Sequence, residues 1–176
     1  VGDMSATEFE KIQDRCIHDV VAMQEEVGLQ SITDGEFRRT SYWSHFVEAV
    51  DGLGIAPARF RFRDEAGEEK QFLSPHVDGP VHRSRSYSTD ELRFLLATTN
   101  RTPKLTMPSP PSMHFWSGSE FVKSGIYPSE EAYFDDLIKI YKAEIADVAA
   151  AGARYIQVDE VPLAMLCDPS LREALQ

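Results

Sequence analysis

The chain has 176 residues, with 18 Lys+Arg against 29 Asp+Glu and a formal net charge of -11. So acidic a chain argues against nucleic acid or an anionic membrane as its main partner and leaves small molecules as the expected ligands. No run of about 18 apolar residues occurs, so no spanning helix is expected, and the acidic N-terminal segment does not read as a secretory signal.

Cys16 and Cys167 are the two cysteines, far apart and in no C-x-x-C pair. They point to a reducing compartment, the cytoplasm by default, where the sequon Asn100-Arg101-Thr102 carries no weight.

In chain order, Ser5-Ala6-Thr7-Glu8 forms a capping-box pattern, in which the hydroxyl and the carboxylate each satisfy a free backbone N–H. Behind it Phe9, Ile12, Cys16, Val20, Met23 and Val27 recur every three or four residues and predict one apolar helix face ending at Gly28. A strand is expected at about Leu29–Thr33, then the turn Asp34-Gly35-Glu36-Phe37-Arg38-Arg39, then a short aromatic helix through Tyr42, Trp43 and Phe46. Residues 51–87 are rich in Gly, Pro and charge. Alternating pieces at Arg59–Arg63 and Gln71–Leu73 flank a turn at Glu65–Glu68, which predicts a β-hairpin excursion.

Ser88-Thr89-Asp90-Glu91 reads as a second capping box opening a helix to about Thr98, followed by a strand at Lys104–Met107 and a loop from Pro108 to Pro128. A long helix from about Ser129 to Ala151 is expected to bury Phe134, Leu137, Ile138, Tyr141, Ile145 and Val148, with Gly152 closing it. The strand Tyr155–Val158 then runs into Asp159-Glu160.

Helices alternating with short buried strands indicate a parallel sheet with right-handed crossovers. Ligands of such sheets lie beyond the carboxyl ends of the strands. Three polar clusters fall there: Asp34/Glu36, Thr106 to Ser112, and Asp159/Glu160. One acid after a strand can simply cap the next helix, but three clusters on one face point to a site. Only three core strands are visible and a helix precedes the first. The expected fold is therefore part of a (β/α)8 TIM barrel, incomplete in this chain, spanning residues 1–176 with the hairpin at about 51–87 as an insertion. Uncovered strand edges of such a portion favour association, homo-oligomers included.

Glu26-Val27-Gly28-Leu29 through Asp34-Gly35-Glu36-Phe37-Arg38-Arg39, Thr106-Met107-Pro108-Ser109-Pro110, and Tyr155-Ile156-Gln157-Val158-Asp159-Glu160 resemble the catalytic barrel of cobalamin-independent methionine synthase and its single-domain relatives. The resemblance covers most of the chain outside the excursion, and the Ile-Gln-Val-Asp-Glu block is its most specific part. It implies a methyltransferase of the 5-methyltetrahydropteroyltriglutamate–homocysteine type, in which zinc holds the acceptor thiol as a thiolate that attacks the methyl group of a folate. It further implies that Glu36 and Asp159 hold the amino group of homocysteine and that Trp116 stacks on the pterin.

The family's zinc ligands, a His-x-Cys pair, a Glu and a later Cys, lie downstream of the Asp-Glu block, so they are expected beyond Gln176 and no metal ligand is assigned within the chain. Cys16 and His18, as Cys-x-His on a helix, diverge rather than converge on a metal. Pro162 is shifted from the family's proline, and Met165 stands where the family has a folate-contacting acid. That departure keeps open a related zinc-thiolate transferase with another thiol or alkyl donor, such as an epoxide and a thiol cofactor. A catalytically inert barrel fragment is the remaining alternative.

Overall fold

The computed structural model describes residues 4–63 and 65–174. Its elements run α1 (Ala6–Glu26), β1 (Ser31–Ile32), α2 (Ser44–Ala49), β2 (Val50–Arg63), β3 (Glu69–Arg83), α3 (Thr89–Thr98), β4 (Thr102–Pro108), a 3-10 turn at Pro110–Met113, α4 (Glu120–Lys123), α5 (Glu130–Ala150), β5 (Tyr155–Asp159), α6 (Val161–Met165) and α7 (Pro169–Ala174). β4 is central in a three-stranded sheet, parallel to β1 on one side and to β5 on the other. The expected parallel α/β arrangement is therefore present, with all three strands ending on one side.

β2 and β3 form a separate antiparallel hairpin. Its ladder shifts register between Asp51 and Leu53, where Gly52 adopts a φ of +85°. A Cβ there would lie 2.4 Å from the Pro80 carbonyl oxygen, so this bulge tolerates only glycine. The hairpin is tied to the segment after β4: the Arg59 N–H donates to the Trp116 carbonyl at 3.0 Å, and the Ser117 hydroxyl donates to the Pro75 carbonyl at 2.5 Å.

The capping box at Ser5 and Glu8 opens α1. The face α1 buries, however, is not the apolar stripe counted in the sequence. Ile17, Val21 and Gln24 are buried, the first two packing with Ile32 and Leu95, whereas Phe9, Met23 and Val27 are exposed. Gln24 explains the offset. Its carboxamide donates to the Thr33 carbonyl at 2.9 Å and accepts from the Thr33 N–H at 3.0 Å, replacing a strand partner just beyond β1. A hydrophobicity count rejects a glutamine, yet the backbone groups it satisfies would otherwise be costly to leave unpaired.

Ser88 also departs from its expected role. It sits at the N-cap of α3, but its side chain makes no capping bond and Glu91 turns away to Arg39. Its backbone N–H donates instead to Glu144 Oε1 at 2.8 Å. Glu144, on α5, is fully buried and takes bonds from Arg83 Nη1 at 2.7 Å, from the Ser86 hydroxyl at 3.0 Å and from the Tyr87 N–H at 3.2 Å. One carboxylate thus gathers the end of the hairpin and the start of α3.

α5 buries Tyr133, Leu137, Ile140, Tyr141, Glu144 and Val148, while Ile138 and Ile145 stay exposed. The Tyr141 hydroxyl donates to the Pro108 carbonyl at 2.6 Å and that of Tyr133 to the Met113 carbonyl at 3.1 Å. α5 therefore holds the end of β4 and the following 3-10 turn in place by polar contacts made from within its apolar face. The segment after β4, expected as loop, carries this turn and α4.

Replacing Glu144 with Ala should cost about 2–4 kcal/mol, because it strands the two buried backbone N–H groups of Tyr87 and Ser88, while the part-buried Arg83 keeps Asp147 as its partner. Urea denaturation checks this, with Glu144→Gln expected to cost less; a loss under about 1 kcal/mol would show that water replaces the carboxylate freely.

Candidate functional site

Side chains alternate across a strand. Leu105 on β4 packs with Leu92 and Val148, and Met107 joins the larger core, so this face of the sheet meets the helices. Lys104, Thr106 and Pro108 point the other way and pair in register with Tyr155, Gln157 and Asp159 of β5. The opposite face is consequently polar, and two hydrogen-bonded chains run along it.

The first chain lies on β5. Lys104 Nζ donates to Gln157 Oε1 at 3.2 Å, and Gln157 Nε2 donates to Asp159 Oδ1 at 2.6 Å. The Asp159 carbonyl accepts from the Ser109 N–H at 3.0 Å, which seams the ends of β4 and β5 together. Glu160 behaves differently: its side chain accepts from the Leu163 N–H at 3.1 Å and caps α6.

The second chain starts in the turn after β1. Asp34 is buried and its Oδ1 accepts the Glu36 N–H at 2.9 Å. This Asx turn holds Glu36 at a φ of +58°, a left-handed conformation that is strained for a residue with a Cβ. The turn delivers the Glu36 carboxylate onto β4, where Oε1 accepts the Thr106 hydroxyl at 2.7 Å and Arg39 Nη1 at 3.1 Å. Arg39 is itself buried. Its Nε and Nη2 grip Glu91 at 3.2 and 2.5 Å, and its remaining N–H groups reach Thr106 Oγ1 at 2.9 Å and the Thr106 carbonyl at 3.2 Å. Its carboxylate neighbours hold this guanidinium above its ordinary value despite burial.

His45, on α2, stacks edge-on against Tyr87 with ring centroids 5.2 Å apart and is buried with no hydrogen-bond partner at either ring nitrogen among the described residues. Burial, with the charge of Arg39 adding to it, lowers its pKa to about 3. The imidazole is therefore neutral near pH 7 and adds no positive charge to the cluster.

Tyr42 links the two halves. Its hydroxyl donates to Ser112 Oγ at 3.3 Å and lies close enough to Asp159 and Glu160 to feel their charge. Burial raises its pKa, bonding to Ser112 and Trp116 works against this, and the two carboxylates add to the rise. Trp116 is buried, with Phe72 of the hairpin and Phe115 packed edge-on at 5.2 and 5.1 Å.

Of the residues expected from the sequence, Glu36 and Asp159 thus lie on either side of β4 on its polar face, with no hydrogen bond between them. Trp116 packs beneath the hairpin beside Tyr42. Arg39, Glu91, His45 and Tyr42 were not foreseen in the site. No three His, Cys, Asp or Glu side chains among the described residues converge as metal ligands. Cys16 and Cys167 are both free, and no helix among the described residues is long and apolar enough to cross a membrane.

Beside the end of β5 opens a cleft of about 760 Å³, lined among others by Arg59, His114, Phe115, Glu160, Leu163 and Leu166.

A parallel sheet whose polar face gathers acids at the strand ends defines an α/β enzyme site, and comparison with known proteins gives the family. The catalytic-domain model of the cobalamin-independent synthases matches residues 1–174, and the chain belongs to that family. It is 33% identical over 178 residues to the uncharacterized protein YxjH of Bacillus subtilis (strain 168), across 99% of this chain and 46% of YxjH. It is 30% identical over 179 residues to a 5-methyltetrahydropteroyltriglutamate--homocysteine methyltransferase of Synechococcus sp. (strain JA-2-3B'a(2-13)), across 99% of this chain and 21% of that protein. A solved structure from Listeria monocytogenes, assigned to the vitamin-B12 independent methionine synthases, superposes with a TM-score of 0.71 at 30% identity, over 95% of this chain and 46% of that one. The chain therefore spans less than half the length of each of these relatives.

The neutral His45 generates a pH test. The unfolded chain protonates this group below pH 6.5, whereas the folded chain resists protonation down to about pH 3. Stability held by the neutral form is complete above pH 6.5 and is lost as pH falls toward 3. Relative to His45→Phe, the wild type should lose about 1.4 kcal/mol per pH unit between pH 6 and 4.5 in urea denaturation. Parallel stability profiles for the two proteins would refute it.

Proposed function

We propose that this chain is part of the (β/α)8 catalytic barrel of a thiol alkyltransferase, with the hairpin as an insertion, and that its reaction is methyl transfer from 5-methyltetrahydrofolate to homocysteine in the cytoplasm. Family membership and the names of curated relatives support the reaction class. Zinc belongs to this reading, with its ligands expected outside these 176 residues.

The observation that carries the reading is the state of the Glu36 carboxylate. One oxygen is fixed by Thr106 and Arg39, while Oε2 accepts no bond from any described residue, and about a third of the side chain is exposed. Asp159 offers a second carboxylate from the neighbouring strand end. Two carboxylates around an ammonium give charge-assisted hydrogen bonds of roughly 1.5–3 kcal/mol each. In this assignment Glu36 and Asp159 orient the amine of the acceptor, and Tyr42, neutral beside Asp159, supplies a hydroxyl to the same space. Trp116 would form the wall against which the pterin of the donor packs.

A second reading concerns the donor. Pro162, Leu163 and Leu166 line the cleft beside Glu160, and Met165, on the same short helix but not among the lining residues, stands where the resemblance expects an acid. This favours a less polar alkyl donor than folate in the same thiol chemistry.

Calorimetric binding of homocysteine and of 4-mercaptobutyrate, its analogue without the amine, to the complete protein carrying this chain separates amine recognition from thiol recognition. Asp159→Asn should weaken homocysteine about tenfold and leave 4-mercaptobutyrate unchanged. Equal weakening of both would remove homocysteine as the acceptor.

A further inference from the structure

The Arg39 guanidinium has five N–H donors, and each has an acceptor: two go to Glu91, two to Thr106 and one to Glu36. The distribution is unequal. Glu91 receives the two-point fork, whereas Glu36 receives a single bond to an oxygen that also accepts the Thr106 hydroxyl. Burial separates the roles too, since 2% of the Arg39 side chain and 9% of Glu91 are exposed, against 34% of Glu36. A ligand on the polar face meets Glu36 and meets neither of the other two.

Three carboxylates, Asp34, Glu36 and Glu91, act on Arg39, while Arg38 is turned to Asp14. Arg38 also reaches Glu91 with its charge, so counting it with its partner Asp14 two cations stand among four carboxylates; the cluster keeps a negative surplus, and Glu36 is its exposed member facing β4. Were Glu91 uncharged, the whole charge of Arg39 would fall on Glu36 and Asp34, in a buried setting where screening by water is weak.

We infer that Glu91 is a positioning residue: by binding Arg39 through two points it takes up the guanidinium charge, so that Glu36 remains an open, negative acceptor for a cationic group of the substrate. This rests on the reading of Glu36 as the amine-holding carboxylate. Glu91 touches no substrate and acts through Arg39 alone.

The test uses the complete protein carrying this chain, with homocysteine and 4-mercaptobutyrate as calorimetric probes. Glu91→Gln should weaken homocysteine about tenfold and leave 4-mercaptobutyrate unchanged, and Glu91→Asp should recover most of the loss. Equal weakening of both probes, or no change in either, overturns the inference. If Glu91→Gln does not fold, Glu91→Asp stands in its place, because it keeps the countercharge to Arg39 and leaves the guanidinium and its bonds to Glu36 and Thr106 present. It should keep the preference for the amine within about threefold of wild type, and a collapsed preference overturns the inference. Amine selectivity lost in Asp159→Asn but kept in Glu91→Gln defeats this inference alone. A wild type without amine selectivity defeats the functional reading as well.

Discussion

The buried guanidinium of Arg39 is the constraint on which the site depends. A charge removed from water is tolerated only when its partners are complete. Arg39 meets that demand by drawing on three separate parts of the chain: Glu36 after β1, Glu91 on α3 and Thr106 on β4. Because every donor is engaged, the guanidinium has one workable position. The loop after β1, the first turn of α3 and the middle of β4 are thereby registered against each other. The strained turn at Glu36 persists because Asp34 beneath it and Arg39 beside it leave its carboxylate nowhere else to go.

The same logic recurs in the framework around the site. Gln24 stands in for a strand at Thr33, Glu144 collects the N–H groups of Tyr87 and Ser88, and the hydroxyls of Tyr133 and Tyr141 bind the carbonyls of Met113 and Pro108. Each is a polar atom placed within a helix face that otherwise buries apolar groups. Apolar burial supplies the larger share of stability but has little directional preference. These hydrogen bonds fix the angle and height at which the helices meet the strand ends, and so where the strand-end carboxylates stand.

Electrostatically the two sides of β4 are unlike. Around Glu36 the acids outnumber the cations and one carboxylate faces outward. Around Asp159 the local cation, Lys104, is held off by the intervening Gln157. Both arrangements leave negative charge at the carboxyl ends of parallel strands, where substrates of such sheets bind. The family supplies the reaction class, and the charge distribution leaves this face of the sheet electronegative.

Much of this was legible in the sequence. The alternation of helices with short strands, the capping box at Ser5, the acids after the strands and the hairpin composition of residues 51–87 are local signals, each carried by neighbouring residues and so readable without a fold. Glu36 and Asp159 were readable as strand-end acids on that basis, and a role for them came only from the resemblance. Glu91 was not legible, because three residues after a serine at a helix start it has the same local pattern as a capping acid. Only the approach of Arg39, 52 positions earlier, gives it another partner. The burial of Gln24 and Glu144 was hidden for the same reason. Periodicity ranks residues by their apolarity, whereas burial of a polar side chain is decided by whether distant backbone groups arrive to satisfy it. The sequence by itself determined the elements and the strand-end acids; the tertiary structure alone decided which of those charges are paired and which remain open, because hydrogen-bond partners from separate elements exist only once the chain has folded.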